Sequence, residues 1–266
     1  MLEDDQLPQA AGSLRERRRA TAVREILEAA ERRIAGHGPA ALSLRAVARS
    51  LGMTVQALYH YFPNRDALVT SLIAKEYEDL ADAVQAALDG APDRPDLPRL
   101  VVAAEGYRRW AVTHPERFQL LFGTPLRGYA APAEGATTQA VRRMGTIFHR
   151  ELFDGFGAEQ LAAADPSALP PGLLAHLDGL PPEGPGELPP AAVALFLDAW
   201  GRLHGLVVLE VFGHTSFIGD HQAEVFRVSM LRLLEDVHRR IPARADGVAG
   251  TGTGAGAEAG PPSAGA

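Results

Sequence analysis

Side chains that could read the edges of nucleic-acid bases are concentrated in residues 43–65, with the sequence SLRAVARSLGMTVQALYHYFPNR. Gln56 can form two hydrogen bonds with an adenine edge, and Val55 can pack on a thymine methyl group. Apolar residues at helical spacing on both sides of Gly52 predict two short helices joined by a glycine turn, which is the arrangement of a helix-turn-helix. The outer face of the second helix would then carry Val55, Gln56, Tyr59 and His60. Some helix-turn-helix units are purely structural, and spacing alone leaves that alternative open.

Charge is distributed unevenly along the chain. Residues 14–65 contain ten arginines and four glutamates, a net charge of +6, whereas the whole chain carries −7. The remainder is therefore acidic, with a net charge of −13. This asymmetry predicts an anionic partner for the N-terminal end only, and double-stranded DNA fits it best, although a solvated helix face could have the same composition.

Composition also excludes several classes of protein. The chain has no cysteine, which excludes disulfides, thiolate metal sites and thiol nucleophiles. The first 12 residues contain three acidic side chains and no apolar run, so no signal peptide is expected. A long apolar stretch at 191–213 is interrupted by side chains that are costly in a bilayer, namely Asp198, Arg202, His204 and Glu210. We therefore expect a soluble, cytoplasmic protein with no membrane partner.

A second group that could do chemistry lies in the segment WGRLHGLVVLE, where Trp200, His204 and Glu210 could form a catalytic or metal-binding group. Glu210 lies well beyond Trp200 along a helix, and no His-x-x-x-His pair is present, which favours a hydrogen-bonded core histidine beside Trp200. No nucleophile elbow, phosphate-binding loop or pair of catalytic carboxylates is recognisable, so we expect no enzyme, no metal and no cofactor. Gly201 and Gly205 would allow another helix to approach closely.

Aromatic side chains are frequent in the middle of the chain, where each could be an ordinary core residue. As a group they could line an apolar cavity, with Tyr107 and His114 orienting a bound small molecule. The expected ligand-binding residues are Tyr107, Trp110, His114, Phe118, Phe122, Met144, Phe148, Trp200 and His204.

All the elements that would position these groups are predicted to be helices. Apolar stripes at helical spacing recur along the chain and no strand pattern competes, so the expected fold class is all-α. We expect a disordered arm at 1–14, a three-helix domain at 15–66 and a C-terminal helical bundle for ligand binding and dimerisation at 67–241. Its Pro- and Gly-rich part at about 165–190 should be a loop-rich insertion with at most one short helix. Residues 242–266 should form a disordered tail.

The last two predicted helices, 191–212 and 223–240, carry more apolar surface than one chain covers easily. The first is apolar nearly all round, and the second has a broad stripe of Val225, Phe226, Val228, Met230, Leu233 and Val237. A second copy of the chain is the natural cover for such a surface, so these helices predict a homodimer with twofold symmetry.

The string SLRAVARSLGMTVQALYHYFPNRDAL, preceded by a long helix, resembles the DNA-binding domain of TetR-family transcriptional repressors over about residues 18–70. The residues at family positions are Ala48, Gly52, Thr54, Leu58, Tyr59, Phe62, Arg65 and Leu68. Tyr61 departs from the pattern, because it stands where the family frequently has histidine, so a phenol would replace an imidazole at the DNA backbone. Trp200, His204 and Gly205 resemble the Trp-His-Gly element of one subclass of TetR C-terminal domains.

The resemblance implies a recognition helix at Thr54–Tyr61, with base contacts from its first turn, and phosphate contacts from Tyr59 and Arg65. The full expected DNA-binding set is Ser43, Arg45, Thr54, Val55, Gln56, Ala57, Tyr59, His60, Tyr61 and Arg65. It also implies a repressor that binds a palindromic operator as a dimer and is released by an unknown small-molecule effector. Two alternatives stay open: a small-molecule-binding sensory protein with a vestigial helix-turn-helix, and a helical enzyme that uses His204 or His114.

Overall fold

A computed structural model describes residues 13–91, 97–123, 129, 130, 132, 134–164, 169–181 and 187–243. Every regular element in these ranges is helical, which confirms the all-α fold class. The expected N-terminal arm and C-terminal tail lie outside the described residues except at their inner ends. There, Ser13 caps the first helix, and the Pro242 carbonyl accepts a hydrogen bond from Gln160 Nε2 at 3.0 Å.

The described residues form a series of α-helices along the chain. In chain order they are α1 (Leu14–His37), α2 (Leu44–Ser50), α3 (Val55–Tyr59), α4 (Arg65–Asp89), α5 (Arg99–Thr113), α6 (Pro115–Phe122), α7 (Ala136–Leu152), α8 (Ala158–Ala162), α9 (Pro171–Asp178), α10 (Pro190–Val211) and α11 (Gln222–Arg239). Short 3-10 helices at Pro39–Ala41 and Ser216–His221 precede α2 and α11. Within its described part, the Pro-rich stretch at 165–190 contains α9 and the first residue of α10.

The helices enclose two apolar cores. The N-terminal core lies between α1, α2, α3 and the first half of α4, with Ile26, Leu58 and Leu72 fully buried. The larger C-terminal core lies between the second half of α4 and the later helices, with Leu80 and Tyr107 fully buried. Because the 25-residue helix α4 contributes to both cores, it joins the two domains along its length.

Helix α10 is strongly apolar, but other helices of the same chain bury only part of its surface. It is long and apolar enough to cross a membrane, but it packs against α5 and α11, and its Arg202 pairs with Asp236 of α11 at 3.2 Å. Only 33% of its most apolar window is buried within this single chain. Three large apolar side chains remain exposed: Leu197 and Leu209 of α10, and Phe212, which follows its last residue.

Candidate nucleic-acid interface and ligand cavity

Local chemistry fixes the turn between α2 and α3. Ser43 Oγ accepts a hydrogen bond from the Ala46 N–H at 3.2 Å, and Thr54 Oγ1 accepts one from the Ala57 N–H at 3.1 Å. Each hydroxyl satisfies a backbone donor that the first turn of its helix would otherwise leave free. Gly52, with a φ of 66°, takes the left-handed conformation that the turn requires and that glycine adopts without strain.

Helix α3 presents a polar face to solvent because Leu58 anchors its opposite face in the N-terminal core. Leu58 is fully buried, whereas Gln56 and His60 are exposed and Tyr59 is 43% exposed. On α2, Arg45 is also exposed, and it has no ion pair in the described part of the chain. An amide, a phenol and a guanidinium on one surface are the groups that bind base edges and phosphates.

Four residues of the expected DNA-binding set are less exposed, namely Val55, Ala57, Tyr61 and Arg65. Val55 differs from the outward orientation expected, because it precedes the buried Leu58 by three residues and packs against the N-terminal core on the same side. Arg65 lies at the start of α4 with its side chain 35% exposed, and its nearest carboxylate is that of Asp66 at 3.9 Å. Its guanidinium therefore keeps access to solvent.

Arg19, which sequence analysis did not select, connects α1 to the C-terminal end of α3. Its Nη1 donates a hydrogen bond to the His60 carbonyl at 3.1 Å, and its guanidinium lies 5.5 Å from the centre of the Tyr61 ring. Tyr61 thus has a partner within the fold, which its resemblance to a DNA-contacting histidine did not reveal. The dense run of arginines at the start of α1 was the available signal.

The aromatic residues of the C-terminal domain converge on Tyr107. Its hydroxyl lies 2.8 Å from His204 Nδ1, and the His204 ring stacks on Trp200 with ring centres 5.5 Å apart. Burial lowers the pKa of His204 and raises that of Tyr107, so both side chains are neutral near pH 7. Glu210 pairs instead with Arg108. His204 is therefore a half-buried, hydrogen-bonded member of the aromatic cluster, and the described ranges contain no group of three or more His, Asp or Glu side chains that could hold a metal.

A cavity of about 300 Å³ lies beside this aromatic cluster, between α4, α6, α7 and α10. Three of the expected ligand-binding residues line it: Phe122, Met144 and Trp200. Sequence analysis missed the rest of the lining, which consists of Tyr77, Val141, Arg142, Gly145, Thr146, His149, Glu187, Leu188 and Phe196. Five of these residues share one helix, α7, but Tyr77, Glu187, Leu188 and Phe196 come from distant segments that meet α7 only in the folded chain, so local spacing could not have shown that the set encloses a cavity.

The other six expected ligand-binding residues do not line this cavity. Four of them pack behind its wall: Tyr107, Phe118, Phe148 and His204. The remaining two lie near the end of α5, where His114 Nδ1 is 3.0 Å from the Trp110 carbonyl oxygen. The Arg117 guanidinium covers the Trp110 ring at 5.2 Å, so these aromatic residues serve the contact between α5 and α6.

Helix α6 contacts both the cavity and the N-terminal domain. Phe122 lines the cavity, whereas Leu120, two residues earlier, is buried in the N-terminal core. Arg117 of the same helix pairs with Glu76 of α4. Any shift of Phe122 that a bound molecule caused would therefore act on a helix that is packed against the N-terminal domain.

Comparisons with known protein families assign both domains. Residues 26–72 match the family described as "Bacterial regulatory proteins, tetR family", and residues 100–233 match "Tetracyclin repressor-like, C-terminal domain". The chain is 35% identical over 191 residues to the HTH-type transcriptional regulator Rv1816 of Mycobacterium tuberculosis (strain ATCC 25618 / H37Rv). That alignment covers 71% of this chain and 80% of the relative.

Solved structures agree with this assignment. The putative regulatory protein SCO4313 is 33% identical, with a TM-score of 0.65 over 84% of this chain and 100% of that one. A protein of unknown function from Rhodococcus sp. RHA1, 23% identical, has a TM-score of 0.57 over 87% of this chain and 98% of that one, which shows a common fold. The chain belongs to the TetR family of bacterial transcriptional regulators.

Proposed function

We propose that this regulator is a cytoplasmic repressor that binds a palindromic operator as a homodimer and releases it when a small molecule occupies the cavity. The observation that carries the effector response is the position of α6, which touches the cavity through Phe122 and the N-terminal core through Leu120. An occupied cavity would favour one position of α6 and thereby one spacing of the two DNA-binding domains.

The operator-binding surface consists of α3 and the residues around it. Gln56 reads bases, while Tyr59, Arg45 and Arg65 contact phosphates or bases at its edges. Ser43 and Thr54 use their side-chain oxygens as helix caps and so position the backbone at the DNA surface. In a dimer the two recognition helices would enter successive major grooves about 34–36 Å apart, which requires an operator of twofold symmetry.

The dimer forms through α10 and α11. The uncovered apolar residues of α10 follow helical spacing from Leu197 to Leu209, with Gly201 and Gly205 between them. A Cβ placed on either glycine meets nothing within 4 Å, so neither glycine is needed for packing inside the chain. On α11, the exposed members of the predicted stripe are Val225 and Val228. The other members, Phe226, Met230, Leu233 and Val237, are buried within the chain and are not available to a partner.

The C-terminal domain also belongs to the subclass with the Trp-His-Gly element. Trp200 and His204 support this assignment because they have a shared structural role, stacking on one another and holding the Tyr107 hydroxyl. Gly205 follows on the side of α10 that is open to a partner helix. The Trp-His-Gly element thus contacts the aromatic cluster through Trp200 and His204, and lies at the proposed dimer face through Gly205.

The proposal is tested by fluorescence anisotropy on DNA from immediately upstream of the coding region, with a shuffled duplex of equal composition as the competitor. We expect a specific complex containing two chains per duplex, which the Arg45→Ala/Gln56→Ala double variant loses. Arg109→Ala, which removes an exposed arginine of α5, should bind like the wild-type protein. A reporter placed behind the same DNA should be expressed more strongly when the regulator is deleted.

Two results would contradict this proposal. Lower reporter expression after deletion would identify an activator. Equal affinity for the upstream and shuffled duplexes, together with small-molecule binding, would favour a sensory protein with a vestigial helix-turn-helix.

A further inference from the structure

The cavity between α4, α6, α7 and α10 has an apolar interior, and the charged residues of its lining lie at its solvent-exposed opening. The inner wall consists of buried or half-buried side chains: Tyr77, Phe122, Met144, Leu188, Phe196 and Trp200. Of the described residues that line it, two are formally charged, Arg142 and Glu187, and these are exposed and of opposite sign. Arg142 is in addition 3.9 Å from the Glu134 carboxylate. Among the described residues of the lining, none places a formal charge deep in the cavity to compensate a charged ligand.

His149 does not change this balance. It lines the cavity from α7, and burial lowers its pKa, although the nearby Glu187 opposes the shift. Its imidazole is therefore neutral near pH 7. A carboxylate or ammonium group taken into this space would lose its hydration without gaining a partner of opposite charge, which disfavours binding.

The uncharged polar groups of the lining that have no hydrogen-bond partner among the described residues are the Tyr77 hydroxyl, the Trp200 indole N–H and the His149 imidazole, and the Tyr77 hydroxyl is the oxygen donor among them. The hydroxyl of Tyr77 makes no hydrogen bond within the described part of the chain, whereas the hydroxyl of Tyr107 behind it bonds to His204. The Tyr77 ring is held edge-on against Phe122, with ring centres 5.6 Å apart. Burial raises the pKa of Tyr77 to about 12, so the hydroxyl stays protonated and can donate. A hydrogen-bond acceptor on a ligand would satisfy it.

We infer that the cavity binds a neutral aromatic molecule of about two fused rings whose single hydrogen-bonding oxygen accepts from the Tyr77 hydroxyl. The volume of about 300 Å³ is at the lower end for small-molecule sites, which limits the number of rings. Phe122, Phe196 and Trp200 supply ring faces and edges for the aromatic framework. This inference rests on the proposal that the cavity is the effector site.

Four probes of one size test the ligand class with the full-length protein: 2-naphthol, naphthalene, 2-naphthoate and 2-naphthylmethylammonium. Calorimetry should give a dissociation constant for 2-naphthol about fivefold or more below that for naphthalene, and about tenfold or more below those for both charged probes. Tyr77→Phe should remove the preference for naphthol over naphthalene and leave naphthalene binding intact.

A second variant locates the probes without disturbing the core. Gly145 lines the cavity, and a Cβ added there meets nothing within 4 Å, so Gly145→Leu fills the space at little structural cost. We expect it to weaken the binding of all probes at least about tenfold. Gly172→Leu, in α9 at an equally open position, is the matched control and should leave binding unchanged.

The inference is overturned if either charged probe binds more tightly than 2-naphthol, if the naphthol preference survives Tyr77→Phe, or if Gly145→Leu leaves binding unchanged. Operator release is measured separately, so the two proposals fail in different ways. A charged probe that binds the cavity and releases the operator refutes the ligand class alone. Naphthol binding with an unaltered operator affinity leaves the ligand class standing and refutes the effector role of the cavity.

Discussion

The arginines of the two domains have different surroundings. In the helix-turn-helix, Arg45 and Arg49 are exposed and have no carboxylate partner among the described residues. In the C-terminal domain, six arginines each pair with a carboxylate on another helix: Arg99, Arg108, Arg117, Arg143, Arg202 and Arg227. Six guanidinium groups of the C-terminal domain therefore join helices, whereas those of Arg45 and Arg49 remain available to an external anion.

This difference shows how the two domains divide the work of a regulator. The positive charge of the N-terminal domain stays available because that part of the sequence contains too few carboxylates to neutralise it. The C-terminal domain is acidic overall and uses six of its arginines internally, so DNA would gain little from contacting it. Its contribution to operator affinity should come from holding two N-terminal domains together.

The largest effect is therefore expected from a change far from the DNA. Gly201→Arg places a long charged side chain at an open position of α10, so the single chain should fold normally while a partner helix is excluded. We expect light scattering to show a monomer and operator affinity to fall by about 100-fold or more, because two linked contacts become one. Gly172→Arg in α9 is the matched control. A Gly201→Arg dimer with normal operator affinity would move the interface away from this face.

The two domains also differ in how far the sequence predicts them. In the DNA-binding domain, caps, glycine turn and apolar stripe all lie within about 25 residues, so local rules predict which side chains face outward. Val55 is the exception, because its spacing fits both faces of a very short helix. In the cavity, Tyr77 and Phe196 meet only through tertiary packing, and each by itself has the pattern of an ordinary core residue. The aromatic cluster was therefore recognised, but the space beside it was not.

The next largest effect concerns base recognition by the N-terminal domain. Gln56→Ala removes the exposed amide of α3 and should cost about 1–3 kcal/mol of binding free energy on the preferred operator. Selection from randomised duplexes should become relaxed at one base pair in each half-site. Gln119→Ala, which removes an exposed amide of α6, should leave both the affinity and the selected sequence unchanged. Unaltered selection by Gln56→Ala would show that another side chain reads the bases.

A smaller and non-specific effect is expected for Arg65, which should contact a phosphate from the start of α4. Arg65→Ala should weaken binding to operator and random duplexes by similar factors and lower the slope of log affinity against log salt by about 0.9. Titrations at several salt concentrations measure that slope, and Arg109→Ala provides the C-terminal comparison. A loss confined to the operator would instead assign a base contact to Arg65.

The smallest effect tests the internal use of arginine in the C-terminal half of the molecule. Glu76 is fully buried between α4 and α6, and its Oε1 has no hydrogen-bond partner. Burial raises its pKa from an ordinary value of 4.5 to about 7, although the paired Arg117 and the nearby Lys75 favour the charged form. Glu31, by repulsion, adds to the rise. Between pH 4.5 and about 7, the Glu76 carboxyl is therefore protonated in the folded chain and already ionised in the unfolded chain.

Since the folded state holds the additional proton, the free energy of unfolding should fall as pH rises from about 5 to about 8. Glu76→Gln, which mimics the protonated carboxyl, should reduce that fall, whereas the exposed Glu25→Gln of α1 should not. Urea unfolding of the three proteins at pH 5, 6, 7 and 8, at one protein concentration, measures the difference. Suppose instead that the free energy of unfolding rises with pH and that Glu76→Gln removes this rise. The attraction between Glu76 and Arg117 would then outweigh the cost of burying the charged carboxylate. The ion pairs of the C-terminal domain would then stabilise the fold through charge, rather than serving mainly to satisfy buried polar groups.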